Sequence, residues 1–177
     1  MKGGAAVNKA ILVLAAVVIA VFLAGQTFTE RYPLPDGSEF NSSTVSNESN
    51  GPDLALGDIY YNVTILGLKE ATKETLAEDF KVDTSSFASV NGKYSNGVYG
   101  AADVIMVKPR FGMEAQVKEA LSDIQAQRTA RYKRYDIYDS YRIASQGIIF
   151  ERGDWIILLM IDDAENAREI IEEYIPR

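Results

Sequence analysis

The stretch "YRIASQGIIFERGDWIILLMIDDAENAREIIEEYI", Tyr141 to Ile175, decides how the rest of the chain is read. Two β-rich runs flank Glu151-Arg152-Gly153-Asp154, the pattern of a hairpin with a short glycine-containing loop. The second run, Trp155 to Ile161, is apolar at every position, which suits a strand that is central or covered on both faces. Asp162 and Asp163 follow where a helix cap belongs, since a carboxylate satisfies free N–H groups and complements the helix dipole. Ala164, Ala167, Ile170, Ile171, Tyr174 and Ile175 then share one helical face, and Pro176 stops the pattern.

Upstream, strand and helix alternate again. "AADVIMVK", Ala101 to Lys108, reads as a strand ended by Pro109. A long helix is expected from about Phe111, with Met113, Val117, Ala120, Leu121 and Ile124 as its buried stripe. "SFASVNGKY", Ser86 to Tyr94, alternates as a strand does, and Asn96-Gly97 marks a turn. Leu54 to Leu68 fits two periods. Ile59, Tyr61, Val63 and Ile65 alternate like a strand, whereas Leu56, Ile59, Tyr60, Val63 and Leu66 fit a helix. The fold expected is α+β: a two-layer sandwich, with an antiparallel sheet of about four strands and helices on one face.

Composition narrows the chemistry. The 177 residues include 25 acidic and 18 basic side chains, a net charge of -7, which argues against nucleic acid as a partner. There is no cysteine, so disulfides, thiolate metal sites and thiol nucleophiles are excluded. There is no histidine either, which removes the commonest general base and zinc ligand. "GKYSNGVYG" fits neither phosphate-binding glycine pattern, and no calcium loop or Ser-x-x-Lys spacing is present. No cofactor or metal is expected. Among the carboxylates Asp103, Asp123, Asp136, Asp139, Glu151, Asp154, Asp162 and Asp163, no spacing marks an acid–base pair. An enzyme built on carboxylates is therefore the least favoured reading.

The N-terminal quarter points to location. Lys2 and Lys9 precede an uncharged run that continues to Phe28. Residues 10–28 would rise about 28 Å as a helix, close to the hydrocarbon thickness of a bilayer. Phe22 and Leu23 are too bulky for signal-peptide cleavage before Gln26, so an uncleaved anchor is the better reading and a cleaved, secreted form the alternative. The positive-inside rule keeps residues 1–9 in the cytoplasm and the rest of the chain outside. Residues 29–52, rich in Ser, Asn, Pro and Gly, read as a flexible linker with about 25–30 Å of reach. Residues 53–177 form the extracytoplasmic domain.

From Asp53 to Tyr174 the chain resembles DUF4358, a bacterial family of unknown function. The resemblance rests on "AADVIMVK", the helix "VKEALSDIQAQ", the strand–turn–helix "GDWIILLMIDDAENA" and the aromatic loop between them, none of which is a catalytic fingerprint. It implies a helix near Leu54 to Leu66 and a short second helix near Lys73 to Phe80. It also implies an N-terminal lipoprotein signal or membrane anchor. Gln26 stands where a lipidated cysteine would be, which leaves the anchor. The family's association with membrane O-acyltransferases implies an accessory role beside such a system.

One segment invites a binding role. In "RYKRYDIYDSYR", Tyr132, Tyr135, Tyr138 and Tyr141 recur every third residue among Arg131, Lys133, Arg134 and Arg142. Such a surface could stack on sugars or meet anionic lipid or wall polymer. The plainer reading ends the long helix here, with Tyr132 and Tyr135 continuing its buried stripe and the other tyrosines covering the sheet edge. The function expected is a membrane-tethered, non-catalytic module of the cell envelope, with a ligand-binding domain for glycan or anionic wall polymer as the alternative. Its partners would be the membrane and an envelope protein or polymer.

Overall fold

The computed structural model describes residues 51–61, 63 and 65–177. The expected cytoplasmic segment, the apolar run 10–28 and the linker as far as residue 50 lie outside the described residues. Among the described residues, no helix is long and apolar enough to cross a membrane.

The chain forms α1 (Gly51–Tyr61), β1 (Leu68–Glu70), α2 (Lys73–Phe80), β2 (Phe87–Ser95), β3 (Asp103–Pro109), α3 (Glu114–Arg134), α4 (Ser140–Ser145), β4 (Ile148–Arg152), β5 (Trp155–Met160) and α5 (Ala164–Tyr174). The class is α+β. The five strands make one antiparallel sheet in the order β1-β2-β3-β5-β4.

The expectation of a two-layer sandwich with about four strands is corrected on two counts. The short edge strand β1 adds a fifth, and helices cover both faces of the sheet. The reason lies in the two central strands. Ile105 and Val107 of β3, with Ile156, Leu158 and Met160 of β5, pack under α2, α3 and α4. Val104 and Met106 of β3, with Ile157 and Leu159 of β5, pack under α1 and α5. Successive strand residues point to opposite faces, so an unbroken apolar strand requires cover on both sides.

Local chemistry explains most boundaries. α1 takes the helical alternative and buries Ala55, Leu56 and Ile59 on one face, but it ends at Tyr61, short of Leu66. It also begins two residues inside the expected linker, with Pro52 in its first turn, where the missing N–H is no loss. α2 spans the residues expected of it. A capping box starts it: Thr72 accepts from the Thr75 N–H at 3.1 Å, and the Thr72 N–H donates to the Thr75 hydroxyl at 2.9 Å. α3 starts at Glu114 rather than Phe111, because the chain first turns through Gly112 at φ +74°. Met113 consequently stays exposed, while Val117, Ala120, Leu121 and Ile124 are buried as expected. Tyr141 to Ser145 is helical, not the start of a β-run. Ile143 and Ala144 join the core beneath α3, and this packing overrides the β-propensity of Tyr141 and Ile143.

The two ends of the sheet differ. At one end, a Cβ on Gly51 would sit 2.5 Å from the Tyr174 carbonyl, and one on Gly153 would sit 2.8 Å from that of Pro176. Lys108 meets Asp154 there at 2.7 Å. The start of α1, the end of α5, the β4–β5 turn and the end of β3 therefore gather together. α1 runs from this end to the other, where the Tyr60 hydroxyl donates to the Ala102 carbonyl at 2.8 Å. Burial holds that phenol far above its ordinary pKa, and the nearby Asp103 charge adds to the effect.

One ion pair lies wholly inside. Arg128 of α3 donates Nε to Asp103 Oδ2 at 2.7 Å, and neither side chain is exposed by more than 4%. Its Nη2 donates to the Ser95 carbonyl, while the Ser95 N–H donates to Asp103 Oδ1 at 2.8 Å. The guanidinium also lies over the Phe80 and Tyr94 rings, 5.0 and 5.7 Å from their centroids. Among the described residues, no buried side-chain polar atom lacks a hydrogen-bond partner. The pair locks the β2–β3 connection onto α3.

Candidate functional site

At the end of the sheet away from Gly51, five separate segments enclose a cleft of about 990 Å³. Its floor is apolar: Ile59 from α1, Ile143 from α4, Ile161 after β5 and Ile170 from α5. Val63, Ile65 and Leu66, between α1 and β1, form one wall. Tyr99 and Tyr138, both exposed, also line it. Asp58, Asp139, Asp162, Asp163, Asn166 and Arg142 supply its polar groups.

A buried serine builds the aromatic rim. Ser140 Oγ accepts from the Ala101 N–H at 2.9 Å and donates to the Ile137 carbonyl, fastening the loop before α4 to the connection between β2 and β3. Tyr138 and Asp139 both take left-handed backbone conformations, at φ +52° and +60°. Asp tolerates this region, whereas for a bulky Tyr it is strained by an amount on the order of 1–3 kcal/mol. The Tyr138 ring comes close to Gly100, at φ +105°, where a Cβ would lie 3.7 Å from the ring edge and 3.3 Å from Ser140 Oγ. Tyr138 is thus held out from the surface, 82% exposed, by a fixed turn.

The acidic groups of the cleft already have partners. Arg142 joins Asp139 and, at 2.6 Å, Asp162. Asp163 caps α5 by accepting from the Asn166 N–H at 3.3 Å. Asp58 accepts from the Tyr174 hydroxyl, and that hydrogen bond, followed by burial, holds the phenol above its ordinary pKa. With four aspartates against one arginine, the lining carries net negative charge. Among the described residues, no three acidic side chains cluster as they would around a metal ion.

The tyrosine- and arginine-rich segment does not form a single face. Tyr138 and Arg142 reach the cleft. Tyr132 is 1% exposed and donates its hydroxyl to the Gly100 carbonyl at 2.8 Å, so it supports the cleft from beneath. Tyr135 is 72% exposed but lies outside the cleft lining, and Tyr141 is partly exposed. Arg131 packs over Gly97, where a Cβ would sit 2.6 Å from the guanidinium carbon, and Arg134 is exposed on the last turn of α3. The period of three breaks because α3 stops at Arg134 and the chain turns before α4. Tyr99, Asp58 and Asn166 have no motif around them. The closest sequence signal for Tyr99 is its neighbour Gly100, which keeps the approach to Ser140 open.

The family model described as a domain of unknown function, DUF4358, matches residues 61–161. No curated protein and no solved structure matches the chain.

Proposed function

The chain belongs to the DUF4358 family, and we propose that it is a non-catalytic binding module, tethered outside the cell membrane by residues 10–28, that takes a glycan of the envelope in the cleft. The observation that carries this reading is the pair of exposed tyrosines, Tyr99 and Tyr138, held over an apolar floor beside a rim of carboxylates and Asn166. A sugar ring offers one face of C–H groups and an edge of hydroxyls. Tyrosine faces suit the first, and carboxylate and amide groups suit the second. Because the aspartates are already engaged with Arg142, Tyr174 and the α5 N-terminus, the site favours binding over acid–base chemistry. The net negative lining favours an uncharged glycan over the anionic wall polymer that the basic residues suggest in the sequence.

Neutral cell-wall oligosaccharides titrated against the purified full chain in detergent test this. Tyr138→Ala should weaken binding by about tenfold or more, as expected for an aromatic anchor worth at least 1.4 kcal/mol. Tyr135→Ala, outside the cleft, should leave affinity within about twofold. Equal losses in both variants, or none in Tyr138→Ala, would count against the site.

A further inference from the structure

We propose that the turn Arg110–Met113 is a second membrane contact, which lays Phe111 in the lipid interface and points the cleft away from the bilayer. The proposal rests on the tethered reading above. Phe111 is fully exposed, and Met113 beside it is 40% exposed. This exposure is built in. The Met113 N–H donates to the Arg110 carbonyl at 2.9 Å, closing a β-turn, and the Arg110 N–H donates to the Ser86 carbonyl at 2.8 Å. Gly112 takes φ +74° at the third position of the turn, with open space where a Cβ would be. The chain thus fixes a large apolar ring at the apex of a rigid turn, where water gives it nothing.

Position supplies the occupant. The turn follows Pro109 directly at the end of β3, on the same end of the sheet as the β4–β5 turn, the end of α5 and Gly51. Residue 51 is where the described domain begins, so the chain enters the domain at the end that carries Phe111. Aromatic side chains favour the lipid–water boundary, and an apolar element there enters to a depth of about 5–10 Å. Arg110, flanking Phe111, suits phosphate headgroups. The cleft, with Tyr138, opens at the other end of α1.

Because the chain has no cysteine, one introduced thiol labels one place. Full-length Met113→Cys and Tyr138→Cys variants, both keeping Phe111 and each carrying an environment-sensitive fluorophore, are reconstituted in phosphatidylethanolamine–phosphatidylglycerol vesicles containing spin-labelled lipid. The chains should float with the vesicles. Quenching should be several-fold stronger for the probe at position 113 than at position 138. A chain that does not float overturns the tether, and the contact with it. A floating chain with an unquenched probe at position 113, or with equal quenching at both positions, overturns the contact alone.

Discussion

Arg128→Met should destabilise the domain by about 3–5 kcal/mol, the usual loss when one partner of a buried ion pair is removed. The change keeps most of the side-chain volume over Phe80 and Tyr94 but takes the guanidinium from Asp103 and from the Ser95 carbonyl. What remains is a carboxylate with no exposed surface and no counter-charge. Burial already pushes the Asp103 carboxyl above its ordinary pKa, against the pull of Arg128 and the Ser95 N–H. Without Arg128 the upward push is unopposed by charge. The folded state of the variant then binds a proton more readily than the unfolded state does. Its deficit should be full above the folded pKa and should shrink as pH falls toward the unfolded value. Adding Asp103→Asn should restore part of the loss at neutral pH. The amide oxygen can still accept from the Ser95 N–H, and the buried charge is gone. Urea titrations across pH measure all of this. A single-variant loss below about 1 kcal/mol, or a deficit that grows in acid, would show that the pair does not hold the β2–β3 connection in the way described.

Ile157→Ala and Leu158→Ala should each cost about 2–5 kcal/mol, although the two side chains leave β5 in opposite directions. Ile157 packs beneath α1 and α5, and Leu158 beneath α2, α3 and α4; both are fully buried. Each truncation removes several methyl or methylene contacts and leaves a void that close-packed neighbours fill only in part. A sheet with one solvent-facing side would make one of the two changes nearly neutral. Denaturant midpoints of the two variants therefore test the three-layer arrangement directly, and a loss below about 1 kcal/mol for either would contradict it.

The elements differ in how plainly the sequence signals them. The β4–β5 hairpin and α5 were legible because their signals are local and agree: a glycine turn, an apolar run, an aspartate cap and a helical stripe. Cover on both faces is implicit in the apolar run from Trp155 to Ile161, and α1 with α5 supplies the layer that a two-layer arrangement lacks. The Leu54 to Leu68 stretch fits both periods, and the choice is made by Ala55, Leu56 and Ile59 meeting α5 and the sheet, a long-range contact. α4 was hidden because six residues are too few for a period, and its helix depends on packing against α3. The cleft was the least legible feature. Its lining comes from five separated segments, and none of them carries a catalytic or ligand-binding fingerprint. Tyr138 and Arg142 stand out in the sequence by their spacing, but they reach the cleft because of the turn at Tyr138–Asp139 and the anchoring Ser140.

The family match ends at Ile161 and begins at Tyr61, the last residue of α1. α5 and nearly all of α1 fall beyond those limits, and these are the two helices that cover the face holding Val104, Met106, Ile157 and Leu159. A fragment cut at the matched limits would keep one helical layer and bare the other side of the sheet as a sticky apolar plate, prone to self-association. It would also lose Asp58, Asp162, Asp163, Asn166 and Ile170 from the cleft. The smallest piece that keeps helices over both faces of the sheet is therefore longer at both ends than the matched stretch.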